Sequence, residues 1–588
     1  MKYDFTSVPD RRNCGSNKWN AAKNASTENV PLSVADMEFY PAPQIVSAIK
    51  KTAEGSVLGY TSATEEYYDA VIGWMKRRHG FDVKKEWIIN TPGVVDALAI
   101  LIQAATNPGD GVIILTPVYY PFDMAVLAKS RKIIYSELIN KDGRYEIDYA
   151  DLEKKCKKAK AILFCNPHNP VGRVWTEEEL SRVADICCRN GVFIIDDEIH
   201  HDIIMPGYKH TVMAKTGGQV LSNIAVCTAP SKSFNLAGLQ CSNIIIPDSK
   251  IRAKATACSL FNMQMGLNIF AYPSCIAAYN ECEDWLEEML TVVHGNALLV
   301  ESFMAENFPE IKVSPLEGTY LQWLDMRGLG MTHTELREML EGAGLYLDNG
   351  EMFGPLGRGF QRINLACAKA TVEKALVRFK NAVEQVRKGW EEKGRPYHKT
   401  LLVGEKLENF VYDSPRGTGL TLTGDRKTLI VFSRFYDCEL CKALLAMFTA
   451  AYPMFRAAGC DIKFVMQTDR EVLSAHQKKF PFELIGDPKC ELYDKYNVFE
   501  ADGIVNMLAG DKLIELAIGK NVYKLLNLDM IESINSALEP AEKTEGPREN
   551  QLCAFVGVDR DMRVIYSHYS KTMTDLPDVK EIIGMLRK

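Results

Sequence analysis

Three polar residues follow apolar runs in a set order along this chain. Leu163-Phe-Cys-Asn-Pro-His-Asn-Pro-Val-Gly172 offers the amide Asn169, Phe193-Ile-Ile-Asp-Asp-Glu-Ile-His200 the acid Asp197, and Val226-Cys-Thr-Ala-Pro-Ser-Lys-Ser-Phe-Asn-Leu-Ala-Gly-Leu239 the amine Lys232. A pyridoxal phosphate (PLP) site needs this set. A lysine holds the aldehyde, an acid keeps the pyridine nitrogen protonated, and an amide bonds the ring hydroxyl. Such chemistry works by spreading a carbanion into the pyridinium ring.

Lys232 needs a depressed pKa to be nucleophilic, which burial and a neighbouring cation supply. Once freed by substrate, it is the base for the α-proton. Asp196 is expected on the strand face opposite Asp197, and Asp197 itself has a helix N-cap as its plainer reading. His200 either reaches the ring hydroxyl, supports the acid, or is an ordinary strand-end histidine; His201 has no assigned role. In Thr91-Pro-Gly-Val-Val-Asp-Ala-Leu98 the amides of Gly93, Val94 and Val95 open a helix and can receive the cofactor phosphate. Tyr119, after the run ending at Thr116, can stack on the pyridine ring. Arg362 lies within an apolar strand and requires an anion. A substrate α-carboxylate in a bidentate fork or a structural ion pair would each satisfy it.

Elements of two periods position these residues. Val112–Leu115, Ala161–Phe164, Val192–Ile195, Ile224–Val226 and Asn243–Ile246 read as buried strands. The segment from Thr176 reads as a helix with Thr176 as N-cap and Glu179 completing a capping box. Alternation of this kind predicts an α/β, mainly parallel sheet covered on both faces, with ligands beyond the carboxyl ends of its strands. Helical character over 276–309, strands at Gly318–Asp325 and Gln361–Ala366, and a helix from Val372 to Glu392 predict a smaller α+β lobe completed by residues 1–45. The first domain is therefore placed at 1–395, with a large lobe at about 46–285 and a small lobe at 1–45 and 286–395. The boundary is expected near 395–400, followed by a polar, turn-rich stretch to about 427. A second domain, 400–588, opens with the strand Thr428–Phe432, a short loop holding Cys438 and Cys441, a helix Ala443–Phe455 and a strand Asp461–Val465, the thioredoxin-type order. Glu539–Pro547 reads as an exposed loop.

The 588 residues are 47% hydrophobic and 25% charged, with a formal net charge of -7. No long basic run points to nucleic acid or an anionic membrane, and no apolar stretch reaches a membrane span. The N-terminus lacks an apolar signal core, so a cytoplasmic location is expected. Most of the sixteen cysteines sit in apolar stretches and read as buried free thiols. No metal site is expected.

Asp10-Arg11 with Ser16–Trp19, Val34-Ala-Asp-Met37, Gly59-Tyr-Thr61, Thr116–Tyr119, Cys165–Pro170, Asp197-Glu-Ile-His200, Ala229–Asn235 and Arg362-Ile-Asn364 run in the order of a known family. On these, residues 1–395 resemble the MalY/PatB-type PLP-dependent C–S lyases (cystathionine β-lyases), within the class I/II aminotransferase fold, PLP-dependent transferase fold type I. The resemblance implies Lys232 as the lysine carrying PLP, Asp197 as the pyridine partner, Asn169 and His200 at the ring hydroxyl, and Tyr119 on the ring face. It further implies Arg362 and Ala35 at the substrate. Tyr60 would cross a homodimer interface to the partner's phosphate. Many aminotransferases carry an arginine eight residues after the lysine; here that residue is Gln240, and Ala229 replaces a common serine. The phosphate then leans on Ser231, backbone amides and Tyr60, which favours the lyase branch.

The second domain resembles the peroxiredoxin-like (AhpC/TSA-type) members of the thioredoxin superfamily, on Leu402–Leu407, Phe432–Cys441, Ile485–Pro488 and Leu492–Val498. Cys438 at a helix start would have a lowered thiol pKa, with Cys441 resolving its disulfide. The Pro-x-x-x-Thr-x-x-Cys setting of a peroxidatic cysteine is absent. The chain is thus expected to cleave cystathionine or another cysteine S-conjugate by β-elimination to a thiol, pyruvate and ammonia, with a thiol-redox module appended. An aminotransferase shares every one of these site residues. A regulatory or interaction protein retaining a PLP site is the third reading.

Overall fold

The computed structural model describes residues 1–22, 28–55, 57–262, 266–393, 401, 403–436, 438–496, 498, 553–570, 576–577 and 579–587. The chain divides into two compact units, Met1–Arg387 and Lys388–Lys588. The division falls in the last turns of the helix Lys369–Lys393. The expected boundary at 395–400 and the expected loop Glu539–Pro547 lie outside the described residues.

The first unit is built on seven strands: Ile88–Thr91 (β1), Gly111–Thr116 (β2), Lys132–Glu137 (β3), Ala161–Cys165 (β4), Phe193–Asp197 (β5), Ile224–Thr228 (β6) and Ser242–Ile245 (β7). Their order is β1-β7-β6-β5-β4-β2-β3. All neighbours are parallel except those of β7. Every residue of β2, β4, β5, β6 and β7 is buried, as covering both faces of a parallel sheet demands. Alternate side chains feed two separate cores. Val112, Ile114, Leu163 and Ile195 pack with the helix Val94–Ala105. Ile113, Leu115, Ile162, Phe164 and Ile194 pack into the larger core on the other face. By this period of two, Asp197 shares the side of Phe193 and Ile195, and Asp196 the opposite side. The helix Glu177–Arg189 begins with the expected capping box of Thr176 and Glu179.

A smaller antiparallel sheet holds Lys312–Val313 (β8), Leu321–Asp325 (β9), Asp348–Asn349 (β10) and Phe360–Asn364 (β11), in the order β8-β9-β11-β10. Its register sets Arg362 of β11 between Trp323 of β9 and Asp348 of β10. The N-terminal segment joins this lobe, with Val30–Pro31 pairing parallel to Leu345–Tyr346.

The second unit has strands Val411–Ser414 (β12), Gly417–Thr421 (β13), Lys427–Phe432 (β14), Cys460–Met466 (β15), Glu483–Gly486 (β16), Ala554–Val558 (β17) and Val564–Tyr569 (β18). The order is β13-β12-β16-β15-β14-β17-β18. The helix Glu439–Ala457 links the parallel pair β14 and β15. The stretch before residue 427, expected to be turn-rich, instead carries the hairpin β12–β13. Only Tyr412 and Ser414 of β12 are buried. With a polar outward set and a Pro-Arg-Gly turn, the hairpin has too little apolar alternation to read as strand. The expected loop around the two cysteines is also corrected: Cys438 is the N-cap of that helix and Cys441 lies in its first turn.

Candidate active site

The carboxyl ends of β4, β5 and β6 are level, because Cys165 pairs with Asp197 and Asp197 with Cys227. Asn169 follows a few residues beyond the first strand. Lys232 follows the third, on the one-turn helix Pro230–Ser233 that a proline opens.

Lys232 Nζ donates to the carbonyl of Ala35 at 2.5 Å, and the Tyr320 hydroxyl donates to the same carbonyl at 2.8 Å. That carbonyl is presented by an unusual backbone. Val34 sits at φ 52°, where a β-branched residue is strained by roughly 1–3 kcal/mol. The surroundings hold it there. Val34 N–H donates to Asp348 Oδ1 at 3.2 Å, and Asn364 Nδ2 donates to the carbonyls of Val34 and Asp36, both at 2.7 Å. Burial, then the Arg362 charge, brings the Lys232 ammonium down to about 8, against the pull of Asp36 and Asp197. Burial pushes the Asp197 carboxyl up to about 7, although its Oδ1 accepts the Ile199 N–H at 3.1 Å. His200 is buried and held well below its ordinary value by burial, then by Lys232 and Arg362. Its Nδ1 has no hydrogen-bond partner.

Arg362 is buried and its five N–H donors can be counted. Nε donates to Asp348 Oδ2 at 3.0 Å and Nη2 to the same oxygen; Nη1 donates to Asn169 Oδ1 at 2.9 Å. Two N–H donors remain, one on each terminal nitrogen. Arg362 therefore makes the structural ion pair and still has donors for a carboxylate. The guanidinium carbon also lies 4.7 Å from the Phe353 ring centre. The Tyr119 N–H donates to the Asn169 carbonyl at 3.1 Å, which fixes this tyrosine beside the amide. Burial raises the Tyr119 hydroxyl, so it stays protonated.

The helix Val94–Ala105 has Gly93 as its N-cap and no side-chain cap, so the first-turn amides of Val94 and Val95 keep their anion-binding capacity. Ser231 is half-buried on the lysine's own turn. Gln240, at φ 51°, ends a short turn and is exposed. Tyr60 is fully exposed on the single chain.

Asp348, Tyr320 and a histidine cluster escaped the sequence reading. His79 Nε2 lies 2.7 Å from Asp202 Oδ1, which also accepts the Trp74 indole N–H at 3.1 Å. Ser233 Oγ, next to Lys232, donates to Asp202 Oδ2 at 2.5 Å. His210 Nε2 is 3.0 Å from Glu198 Oε2. His201 lies between Glu198 and Asp202; burial would lower it, but Asp202 and Glu198 raise it to about 9. The network braces the backs of the Asp197 and Lys232 segments. Its His79 and His201 rings stack at 4.2 Å and 22°. The ligand nitrogens of His79, His201 and His210 also lie within 4.8 Å of one another, a spacing that could hold a metal ion where the sequence led us to expect no such site. No short-range sequence signal joins residues this far apart in the chain.

Buried Asp197, the unpartnered His200 nitrogen, the amine of Lys232, the uncapped helix start and two spare guanidinium donors are together what pyridoxal phosphate and an amino-acid carboxylate require. The residues present fit that cofactor.

In the second unit, Arg434 Nη2 is 2.8 Å from Cys438 Sγ, and the Arg434 N–H donates to Cys441 Sγ at 3.2 Å. The neighbouring Cys441 thiol, then Arg434, brings Cys438 down to about 6 against burial, while burial raises Cys441. All sixteen cysteines are free, and Cys14 and Cys188 alone are not buried.

Residues 27–379 match the family model for aminotransferase class I and II, and residues 403–515 that of the AhpC/TSA family. The chain is 41% identical over 360 residues to cystathionine beta-lyase PatB of Bacillus subtilis (strain 168), covering 61% of this chain and 93% of that protein. It is 30% identical to protein MalY of Escherichia coli (strain K12), over 66% of this chain and 100% of that protein. Among solved structures it resembles cystalysin from Treponema denticola, which contains a pyridoxal 5'-phosphate cofactor, with TM-score 0.64, 45% identity and coverage of 66% of this chain and 100% of that one. A PLP-bound C–S lyase from Staphylococcus hominis gives TM-score 0.60 and 32% identity, over 65% of this chain and 98% of that one. With this family model matched over more than half of its length, the chain belongs to the aminotransferase class I and II family and continues into an AhpC/TSA segment.

Proposed function

We propose that the protein is a PLP-dependent carbon–sulfur lyase. It cleaves cystathionine or another L-cysteine S-conjugate to a thiol, pyruvate and ammonia. The observation that carries this reading is the meeting of Lys232 and Asp197 at the level ends of adjacent parallel strands, with Arg362 holding two unused N–H donors close by. The similarity to a cystathionine beta-lyase over most of that relative's length supports it.

PLP supplies an electron sink for the α-carbanion when bound. The protein's residues do the rest. Lys232 would carry the cofactor and, once released, take the α-proton; a value near 8 keeps a useful fraction neutral at physiological pH. Asp197 would hold a proton against the pyridine nitrogen, a task for which its raised affinity for protons suits it. Asn169 and His200 would face the ring hydroxyl and Tyr119 the ring face. Gly93, Val94, Val95 and Ser231 would receive the phosphate. Arg362 would grip the substrate carboxylate with its two remaining donors, and the Ala35 backbone would line the substrate side. Tyr60, exposed on the single chain, would reach the partner subunit's phosphate in a homodimer. No helix among the described residues is long and apolar enough to cross a membrane; a cytoplasmic location is the reading we adopt.

The test is the absorbance of the purified protein before and after L-cystathionine, with pyruvate assayed in the same cuvette. A lysine-bound PLP band, lost in Lys232→Ala, with catalytic pyruvate and no added keto acid, is expected. Conversion of the cofactor to its amine form without pyruvate would establish an aminotransferase instead.

A further inference from the structure

The dithiol of the second unit is not absorbed by the lyase reading. Cys438 caps a 19-residue helix with its sulfur 2.8 Å from Arg434 Nη2, and Cys441 lies one turn on, buried, with the Arg434 N–H on its sulfur. Cys553 ends the segment entering β17. Since Phe432 pairs with Ala554, Cys553 stands one position further along, level with Ser433 at the foot of Arg434. Cys438, Cys441, Cys553, Tyr436 and Phe435 share one apolar cluster.

Two features narrow the electrophile. Cys438 is only 5% exposed, so a protein disulfide cannot approach it, and a small molecule can. The second is the leaving group. Reduction of a peroxide expels hydroxide or alkoxide, a poor leaving group that needs a nearby donor. The position three residues before a peroxidatic cysteine, ordinarily threonine, is Phe435 here, whose ring cannot donate, which leaves the Arg434 guanidinium, already donating to the Cys438 sulfur, as the donor beside it. Hydrosulfide leaves without such help, because lower-pKa sulfur groups leave faster. Cys441, Cys553, Tyr436 and Phe435 share the apolar cluster of Cys438, thiol and aromatic groups that suit polarizable sulfur.

We infer that Cys438 and Cys441 form a site that takes the outer sulfur of a small hydropersulfide and releases it as hydrosulfide. The Cys438 thiolate attacks the terminal sulfur of R–S–SH. The S–S bond of the donor breaks, RS⁻ leaves, and Cys438 becomes a hydropersulfide. Cys441, losing its proton to water, then attacks the inner sulfur of Cys438 and expels HS⁻. The sulfane sulfur is reduced by two electrons, the two thiols are oxidised to a disulfide, and a small-molecule dithiol must restore them for the next cycle. Resting on the lyase reading, the supply is internal to this protein's chemistry: β-elimination from a disulfide such as L-cystine breaks the C–S bond and releases a cysteine hydropersulfide with pyruvate and ammonia.

The reduced full-length holoprotein is treated with sodium disulfide (Na2S2) as the probe, and hydrosulfide and protein mass are followed. Two hydrosulfides per protein, one from each sulfur of the probe, and a Cys438–Cys441 disulfide are expected, at least about tenfold faster than oxidation by equimolar hydrogen peroxide. Cys441→Ser should release one hydrosulfide and retain one added sulfur on Cys438, and Cys438→Ser should release hydrosulfide no faster than buffer. Faster reaction with peroxide, or hydrosulfide release that survives Cys438→Ser, overturns the inference. In a separate arm the wild-type protein receives L-cystine. Absence of pyruvate there overturns the internal supply, and its absence from L-cystathionine as well refutes the lyase reading, in each case without touching the Na2S2 arm, which depends on neither.

Discussion

Arg362, on the smaller sheet, and Asn169, in the turn beyond β4 of the larger one, are far apart in sequence and joined by a hydrogen bond of 2.9 Å from Nη1 to Oδ1. Through it, the residue proposed to grip the substrate carboxylate also orients the amide proposed to face the cofactor ring. Asp348 completes the arrangement. One of its oxygens takes two Arg362 donors and the other the N–H of strained Val34, whose neighbour Ala35 receives Lys232.

Asp348→Asn should therefore do more than loosen one contact. Removing one partner of a buried ion pair costs roughly 3–5 kcal/mol. We expect a loss of about that size in urea unfolding of the first unit and a raised KM. A change confined to stability, with KM untouched, would show that Asp348 does not set the carboxylate grip.

Lys232→Ala removes the amine that carries PLP and serves as base. Pyruvate formation should fall by at least about 10²–10⁴-fold, the usual contribution of a positioned general base. The loss is read by coupled pyruvate assay on protein saturated with added PLP.

The cofactor-free protein should show a pH signature. Asp197 is raised by burial from 3.8 to about 7, so between these values the folded form binds more protons than the unfolded. Unfolding free energy then falls as pH rises through that window. Lys232 is lowered by burial from 10.5 to about 8, so stability recovers as pH rises from 8 to 10.5. Asp197→Asn removes the first effect and, by taking away a charge that holds Lys232 up, enlarges the second. It should stabilise the cofactor-free protein at pH 8 by on the order of 4 kcal/mol, at 1.36 kcal/mol per pKa unit, while abolishing lyase turnover. Denaturant midpoints across pH 4–10 decide this.

Cys438, brought down to about 6 by the Cys441 thiol and then by Arg434, should be alkylated by iodoacetamide with a midpoint near that pH. In Arg434→Met the midpoint should rise, because the second-largest cause of the lowering is gone. An unmoved midpoint would remove Arg434 from the account.

Tyr60 makes no use of its exposure within one chain. Sedimentation should find a dimer, and Tyr60→Ala should release PLP about tenfold more readily, as expected for one lost hydrogen bond to a charged group. A monomer in sedimentation would exclude the cross-subunit role.

The strand-end residues were legible because their signal is local. An apolar run of strand length followed by Asn169, Asp197 or Lys232 fixes both the sheet and the end at which polar groups gather, since parallel strands buried on both faces must be continuous in apolar residues. The Thr176–Glu179 cap was legible for the same reason: both partners lie within one turn. The hairpin β12–β13 was not, because half its side chains face water and its turn is polar.

Other features belong to the tertiary structure alone. The sequence fixes that Arg362 needs an anion. Only the register of β10 against β11 decides that Asp348 takes part of it while two donors remain. Likewise the His79–His201–His210 network joins residues that no periodicity connects. Val34 can hold a left-handed backbone only because Asp348 and Asn364 fasten it from another strand and its neighbour. Sequence writes the chemistry that short-range period and capping can place, and the packing of distant strands decides which polar groups are satisfied and which remain for a ligand.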